Sequence, residues 1–171
     1  MTQSLKTLLR DVDIIAHTGS LDVMISGITH DSRKLGENGC FVAIKGFRQD
    51  GLEYLDSAVE KGIAAVITSS KPDPRYSQIT WVQVKNERRV LSKIVSRFYN
   101  DITRELYTIG ITGTNAKTTI MSFISAILSR EAKTVSIGTL GMDFGDIHVG
   151  AGLTTPEASD LYPFLTDARA N

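Results

Sequence analysis

The run Gly110-Ile111-Thr112-Gly113-Thr114-Asn115-Ala116-Lys117-Thr118-Thr119 gathers small residues, one cation and several hydroxyls into one short segment. An apolar stretch precedes it and a helical pattern follows, so the order predicts strand, turn and helix. Such a turn aims successive backbone N–H groups and a helix N-terminus at one point, which suits the charge of a nucleotide's phosphates. There Lys117 is placed to reach the terminal phosphates as a point charge, and the Thr118 hydroxyl to ligate Mg²⁺. An ordinary turn ending in a threonine-rich cap is the plainer alternative. One residue objects to the phosphate reading: the place before the lysine normally holds Gly, and here it is Ala116. Glycine allows close backbone approach and φ > 0, which costs an L-residue roughly 1 kcal/mol or more. Weakened nucleotide affinity, restored by Ala116→Gly, is the expectation.

The elements that must position this loop read as strand 106–111, helix 117–130 and strand 134–139, one βαβ unit with its crossover helix on a parallel sheet. A lone βαβ unit leaves its sheet uncovered, so this second unit reads as incomplete. Residues 141–152 are compatible with a hairpin or a loop. Upstream, Leu5, Leu8 and Leu9 suggest a short opening helix, and residues 23–29 and 40–44 read as strands around a turn-rich stretch. Leu52, Leu55, Ala58 and Val59 repeat at helical spacing up to Gly62, a natural stop. Residues 64–68 and 79–84 read as strands separated by a loop bearing Pro72 and Pro74. Asn86 is placed to cap a helix whose Val90, Leu91, Ile94, Val95 and Phe98 form the buried stripe, closing the first unit near Asn100. Trp81 and Tyr107 lie in strand patterns and are expected in the core. The fold class is α/β: a mixed α/β unit over residues 1–101, then the first βαβ unit of a P-loop ATPase-like parallel-sheet domain over residues 102–171.

With 171 residues and 42% hydrophobic content the chain can bury a real core. Lys+Arg and Asp+Glu both number 19, so no net field draws it to nucleic acid or a lipid surface, and an anionic ligand must be caught locally. The single Cys40 sits in an apolar run and reads as core, and no disulfide can form within the chain. His17, His30 and His148 share no metal-ligand spacing. The N-terminus has charges at Lys6, Arg10, Asp11 and Asp13 and no long apolar stretch, which points away from membrane insertion and toward the cytoplasm.

Three blocks together resemble the Mur ligases of bacterial cell-wall synthesis. Gly-x-x-Gly-Thr-Asn-x-Lys-Thr-Thr is similar to their phosphate loop. Asp31-Ser32-Arg33, then Gly39-Cys40-Phe41-Val42-Ala43-Ile44-Lys45-Gly46 and Asp50-Gly51, resembles the N-terminal uridine-nucleotide domain of the members that add meso-diaminopimelate or L-lysine. Thr154-Thr155-Pro156-Glu157 resembles a Thr-Thr-Pro element of the same members.

The resemblance implies a peptidoglycan-precursor ligase that activates a carboxylate of UDP-N-acetylmuramoyl-L-Ala-D-Glu with ATP as an acyl phosphate and lets an amine attack it. It assigns ATP to Gly110, Gly113, Thr114, Asn115, Ala116, Lys117, Thr118 and Thr119, with Mg²⁺ at Thr118. It assigns the UDP-sugar to His30, Ser32, Phe47, Arg48, Gln49, Thr154 and Thr155. Phe47, Arg48 and Gln49 replace a His-Gln-Ala stretch common in the family, and Arg48 serves equally as a diphosphate cation or a solvated surface residue. Helix capping is the plainer alternative for the two threonines, and a structural pair for Asp31 and Arg33. The family's catalytic Glu, His and carboxylated Lys fall beyond Asn171, so no catalytic residue is expected in these residues and the chain alone is expected to be inactive. A non-catalytic UDP-sugar or nucleotide-binding module is the rival reading, favoured by Ala116.

Overall fold

The computed structural model describes residues 1–46, 49–150 and 155–170, and the chain divides into two compact units, Met1–Asp101 and Ile102–Asn171. The first contains β1 (Gln3–Ser4), α1 (Leu5–Leu8), β2 (Ile14–Thr18), β3 (Met24–Ile25), β4 (Ile28–Thr29), β5 (Cys40–Val42), α2 (Leu55–Glu60), β6 (Ala65–Thr68), β7 (Thr80–Val84) and α3 (Glu87–Phe98). Five strands form its main sheet in the order β2-β7-β6-β5-β4. The four strands β4 to β7 run parallel, and β2 joins antiparallel to β7.

Alternation along the strands splits the core in two. Phe41, Val66 and Trp81 lie level with one another on one face, where Leu55 and Ala58 of α2 pack with Ile63 and Ile79. Cys40, Val42, Ala65, Ile67 and Val82 point the other way and are fully buried. That face is left for α3, which contacts β4 and α1 and whose Val90, Leu91, Ile94, Val95 and Phe98 are all buried. The stripe was expected from spacing, and each such side chain contributes roughly 1.5–3 kcal/mol on burial. Asn86 Oδ1 accepts from the Arg89 N–H at 2.9 Å and starts the helix as expected.

Two readings of this unit change. The stretch 23–29 is not one strand: β3 pairs with β1, β4 with β5, and the chain switches sheets at Ser26-Gly27. The Ser26 N–H and hydroxyl bond the carbonyls of Asn38 and Glu37, which pulls the backbone out of line. Strand β2 went unrecognised because it is an edge strand with mixed exposure and a register shift between Ile14 and Ala16.

The second unit holds α4 (Lys117–Leu128), β8 (Val135–Gly138), β9 (Gly141–Phe144), β10 (Ile147–Gly150) and α5 (Ala158–Ala170). Helix 117–130 and strand 134–139 are present in slightly shorter form, but the βαβ unit is not. Residues 107–113 form no strand, and β8 pairs antiparallel with β9, which pairs with β10. Of the two options for 141–152, the hairpin is the one formed over 141–150, and residues 151 and 152 lie outside the described residues. A strand exists only through a ladder, and parallel ladders require both sheet faces covered. Among the described residues no strand lies beside 106–111, and Tyr107, expected in the core, is 94% exposed. The same lack of cover leaves Phe123 and Ile127 of α4 65% and 67% exposed.

Candidate substrate and phosphate sites

Because β4, β5 and β6 are parallel, the segments that leave them emerge on one side of the sheet, where open α/β sheets bind ligands. The segment after β4 carries His30, Asp31 and Ser32; the segment after β5 carries Gln49 and Asp50; the segment after β6 carries Ser69 and Ser70.

The first forms a tight turn, with a 3₁₀ segment at Ser32–Lys34. Asp31 Oδ1 accepts from the Arg33 backbone N–H at 3.0 Å, and the carboxylate takes the Arg33 guanidinium through both oxygens at 2.9 and 2.8 Å. The guanidinium beside it is the main reason the Asp31 carboxyl titrates at about 2. The Asp31 N–H donates to Thr29 Oγ1 at 3.0 Å. From the end of α2 the Lys61 ammonium donates to the Ser32 carbonyl at 2.6 Å and the Arg33 carbonyl at 3.1 Å. The Ser32 hydroxyl is half-buried and has no hydrogen-bond partner among the described residues.

The second segment folds back on itself. The Gly46 N–H donates to the Gln49 carbonyl at 2.9 Å and the Gly51 N–H to the Ile44 carbonyl at 3.0 Å. A Cβ at Gly51 would stand 2.8 Å from Ile44 N and 2.9 Å from Ala43 C, so only glycine fits. Asp50 Oδ1 accepts from the Leu52 N–H and turns the chain into α2. Gln49 is exposed; Phe47 and Arg48 lie outside the described residues.

The third segment is pinned by side chains. Glu87, buried in the first turn of α3, accepts from the Ser69 N–H at 2.8 Å, and Gln83 and Trp81 donate to the carbonyls of Ser69 and Ser70.

In the second unit the loop before α4 turns sharply. Gly113 has φ +155°, and Ala116, immediately before the helix, is left-handed at φ 62° and ψ 5°. The backbone conformation that glycine was expected to serve is therefore present, held by a residue with a Cβ. No side chain caps the helix, and the Ala116 carbonyl accepts from the Ile120 N–H at 2.9 Å. The Lys117 ammonium folds back onto the Gly113 carbonyl at 2.7 Å. Thr114, Asn115 and Thr119 are exposed and Thr118 is half-buried. An uncapped N-terminus with a lysine across its mouth fits an anion of the phosphate class. A Cβ added at Gly110 would meet nothing within 4 Å beyond its chain neighbours. Thr155 is exposed ahead of α5, and Thr154 lies outside the described residues.

Comparison with known proteins bears on both units. Residues 24–99 match the family model described as "Mur ligase family, catalytic domain", and residues 111–171 match the "Mur ligase middle domain". The chain belongs to the Mur ligase family. It is 39% identical over 158 residues to the UDP-N-acetylmuramoyl-L-alanyl-D-glutamate--2,6-diaminopimelate ligase of Alkaliphilus metalliredigens, covering 92% of this chain and 32% of that protein. Its identity to the enzyme of the same name from Caldanaerobacter subterraneus is 42% over 144 residues, covering 84% and 30%. Among solved structures, a UDP-N-acetylmuramoyl-L-alanyl-D-glutamate--2,6-diaminopimelate ligase shares the fold with a TM-score of 0.66 at 21% identity, over 98% of this chain and 34% of that one. The MurF ligase of Thermotoga maritima in complex with ADP matches with a TM-score of 0.50 at 25% identity, over 63% and 24%. This Mur ligase chain thus spans about a third of the length of the curated relatives it matches.

Two contributors to the sites escaped the sequence. Lys61 lies 29 residues from Ser32 and reads locally as a helix-end lysine; Glu87 reads as an ordinary first-turn acid. Only the tertiary fold brings them to these loops. Among the described residues no group of three His, Cys, Asp or Glu side chains is placed to hold a metal ion, and no helix is long and apolar enough to cross a membrane.

Proposed function

We propose that this chain is the substrate-binding front of an ATP-dependent ligase that adds meso-diaminopimelate or L-lysine to UDP-N-acetylmuramoyl-L-Ala-D-Glu in the bacterial cytoplasm. The observation that carries the reading is the convergence of the turn at Ser32 and the glycine-closed loop ending at Gly51 on the carboxyl ends of adjacent parallel strands. In this reading residues 1–101 form the UDP-sugar domain. The Ser32 hydroxyl contacts the uridine, His30 and residues 47–49 flank it, and Thr154 and Thr155 meet the muramoyl-peptide. Residues 102–171 open the ATP domain. There the amides around Ala116, with Gly110, Gly113, Thr114, Asn115 and Thr119, surround the phosphates; Lys117 leaves the Gly113 carbonyl for the terminal phosphate, and Thr118 offers its hydroxyl to Mg²⁺.

Bound ATP supplies a phosphoryl group to the substrate carboxylate, releasing ADP, and the incoming amine then displaces phosphate to leave an amide. The acceptor amine and the groups that activate it belong to the remainder of the ligase, so the 171 residues alone bind without ligating. A non-catalytic binding module is the second reading, and the Cβ of Ala116, at the place where a phosphate loop normally has glycine, favours it. Calorimetry with UDP-N-acetylmuramoyl-L-Ala-D-Glu and, separately, with a non-hydrolysable ATP analogue tests both sites. Binding of the first and not the second is expected; tight ATP-analogue binding with no UDP-sugar binding would reverse the assignment.

A further inference from the structure

Lys61 is the one cation whose ammonium, among the contacts described for the first unit, closes on two successive carbonyls of a ligand-facing turn. Its own backbone is fixed. The Lys61 N–H donates to the Ala58 carbonyl at 3.1 Å at the end of α2, and Gly62 follows at φ +75°, its carbonyl accepting from the Asn38 N–H at 2.8 Å. The turn's other device, the Asp31–Arg33 pair, involves a guanidinium that is 88% exposed, and solvent screens such pairs strongly. Lys61 is half-buried, so its charge-assisted bonds are the better shielded of the two. These bonds hold the 32–33 peptide, next to the Cα that carries the unpartnered Ser32 hydroxyl.

We infer that Lys61 is a positioning residue for the UDP-sugar: it acts through Ser32, holding that hydroxyl in the direction in which it meets the ligand. The inference rests on the proposed role of the first unit. Lys61 need not touch the ligand, because pre-ordering the turn lowers what binding must spend on ordering it.

The test is a double-mutant cycle on the 171-residue chain, read by calorimetry with UDP-N-acetylmuramoyl-L-Ala-D-Glu, using wild type, K61M, S32A, K61M/S32A and K61R. K61M is expected to weaken binding about fivefold, the size of coupling common within one hydrogen-bond network. S32A is expected to cost clearly less in the K61M background than alone, and K61R to recover most of the loss. If K61M does not fold, K61Q takes its place with the same expected non-additivity. Unchanged affinity in K61M, or losses that multiply independently, overturns the inference, the latter because it describes a lysine acting apart from Ser32. Failure of the wild-type chain to bind instead removes the reading of the first unit on which it rests.

Discussion

Ala116→Gly tests the proposed phosphate loop where its geometry is most specific. Ala116 is held at φ 62° and ψ 5° directly before α4. A left-handed L-residue costs roughly 1–2 kcal/mol that glycine does not incur. Glycine gives back roughly 0.4–1 kcal/mol through the greater freedom of the unfolded chain. The difference favours the variant by about 0.8 kcal/mol, roughly a fourfold change in the folding equilibrium of the second unit. Hydrogen exchange of the Ile120 amide, the first to bond within the helix, and of those that follow it, with urea unfolding followed by circular dichroism, measures it. Because the strain is already present without nucleotide, the backbone contribution to ATP-analogue affinity is bounded by about the same factor; a much larger gain would locate the penalty in contact between the Cβ and the phosphates. A variant less stable than wild type by about 0.5–1 kcal/mol, as glycine is at an ordinary helical position, refutes the left-handed assignment.

Other perturbations follow from the first unit. Gly51→Ala drives a Cβ into the backbone of Ala43 and Ile44, and a loss of about 1–3 kcal/mol in urea unfolding is expected; an unchanged midpoint would mean the loop has room to shift. The Asp31 carboxyl titrates at about 2 in the folded chain, below its usual value of 3.8, so its contribution to stability is fully present above about pH 4 and is lost as pH falls through about 2. Arg33→Gln should remove most of that acid-limb dependence, and an unaltered limb would point to another carboxylate. The Cys40 thiol is fully buried and pushed up to about 12 by desolvation, so iodoacetamide at pH 8 should leave it unmodified until the chain unfolds; rapid labelling would contradict its core position.

What was legible in the sequence is what depends on near neighbours. The stripe and cap of α3, the stop at Gly62 and the left-handed demand at residue 116 all follow from spacing or from one residue's steric freedom. The strand at 106–111 was not decided locally, since its apolar pattern needs partners on both edges before it becomes a strand. The break at Ser26-Gly27 depends on carbonyls 11 and 12 residues away in the chain, those of Glu37 and Asn38. The turn bearing Ser32 could be found by its residue types, but its support by Lys61 could not, because acceptors that are backbone carbonyls leave no mark on composition.

The most direct measurement is a titration of the ¹⁵N-labelled 171-residue chain with UDP-N-acetylmuramoyl-L-Ala-D-Glu, followed amide by amide. Saturable shifts concentrated at residues 30–33 and 45–51, and weakened by Ser32→Ala, are expected. Absence of saturable shifts, or shifts confined to the strands' opposite ends, would contradict a uridine-nucleotide site at the carboxyl edge of this sheet.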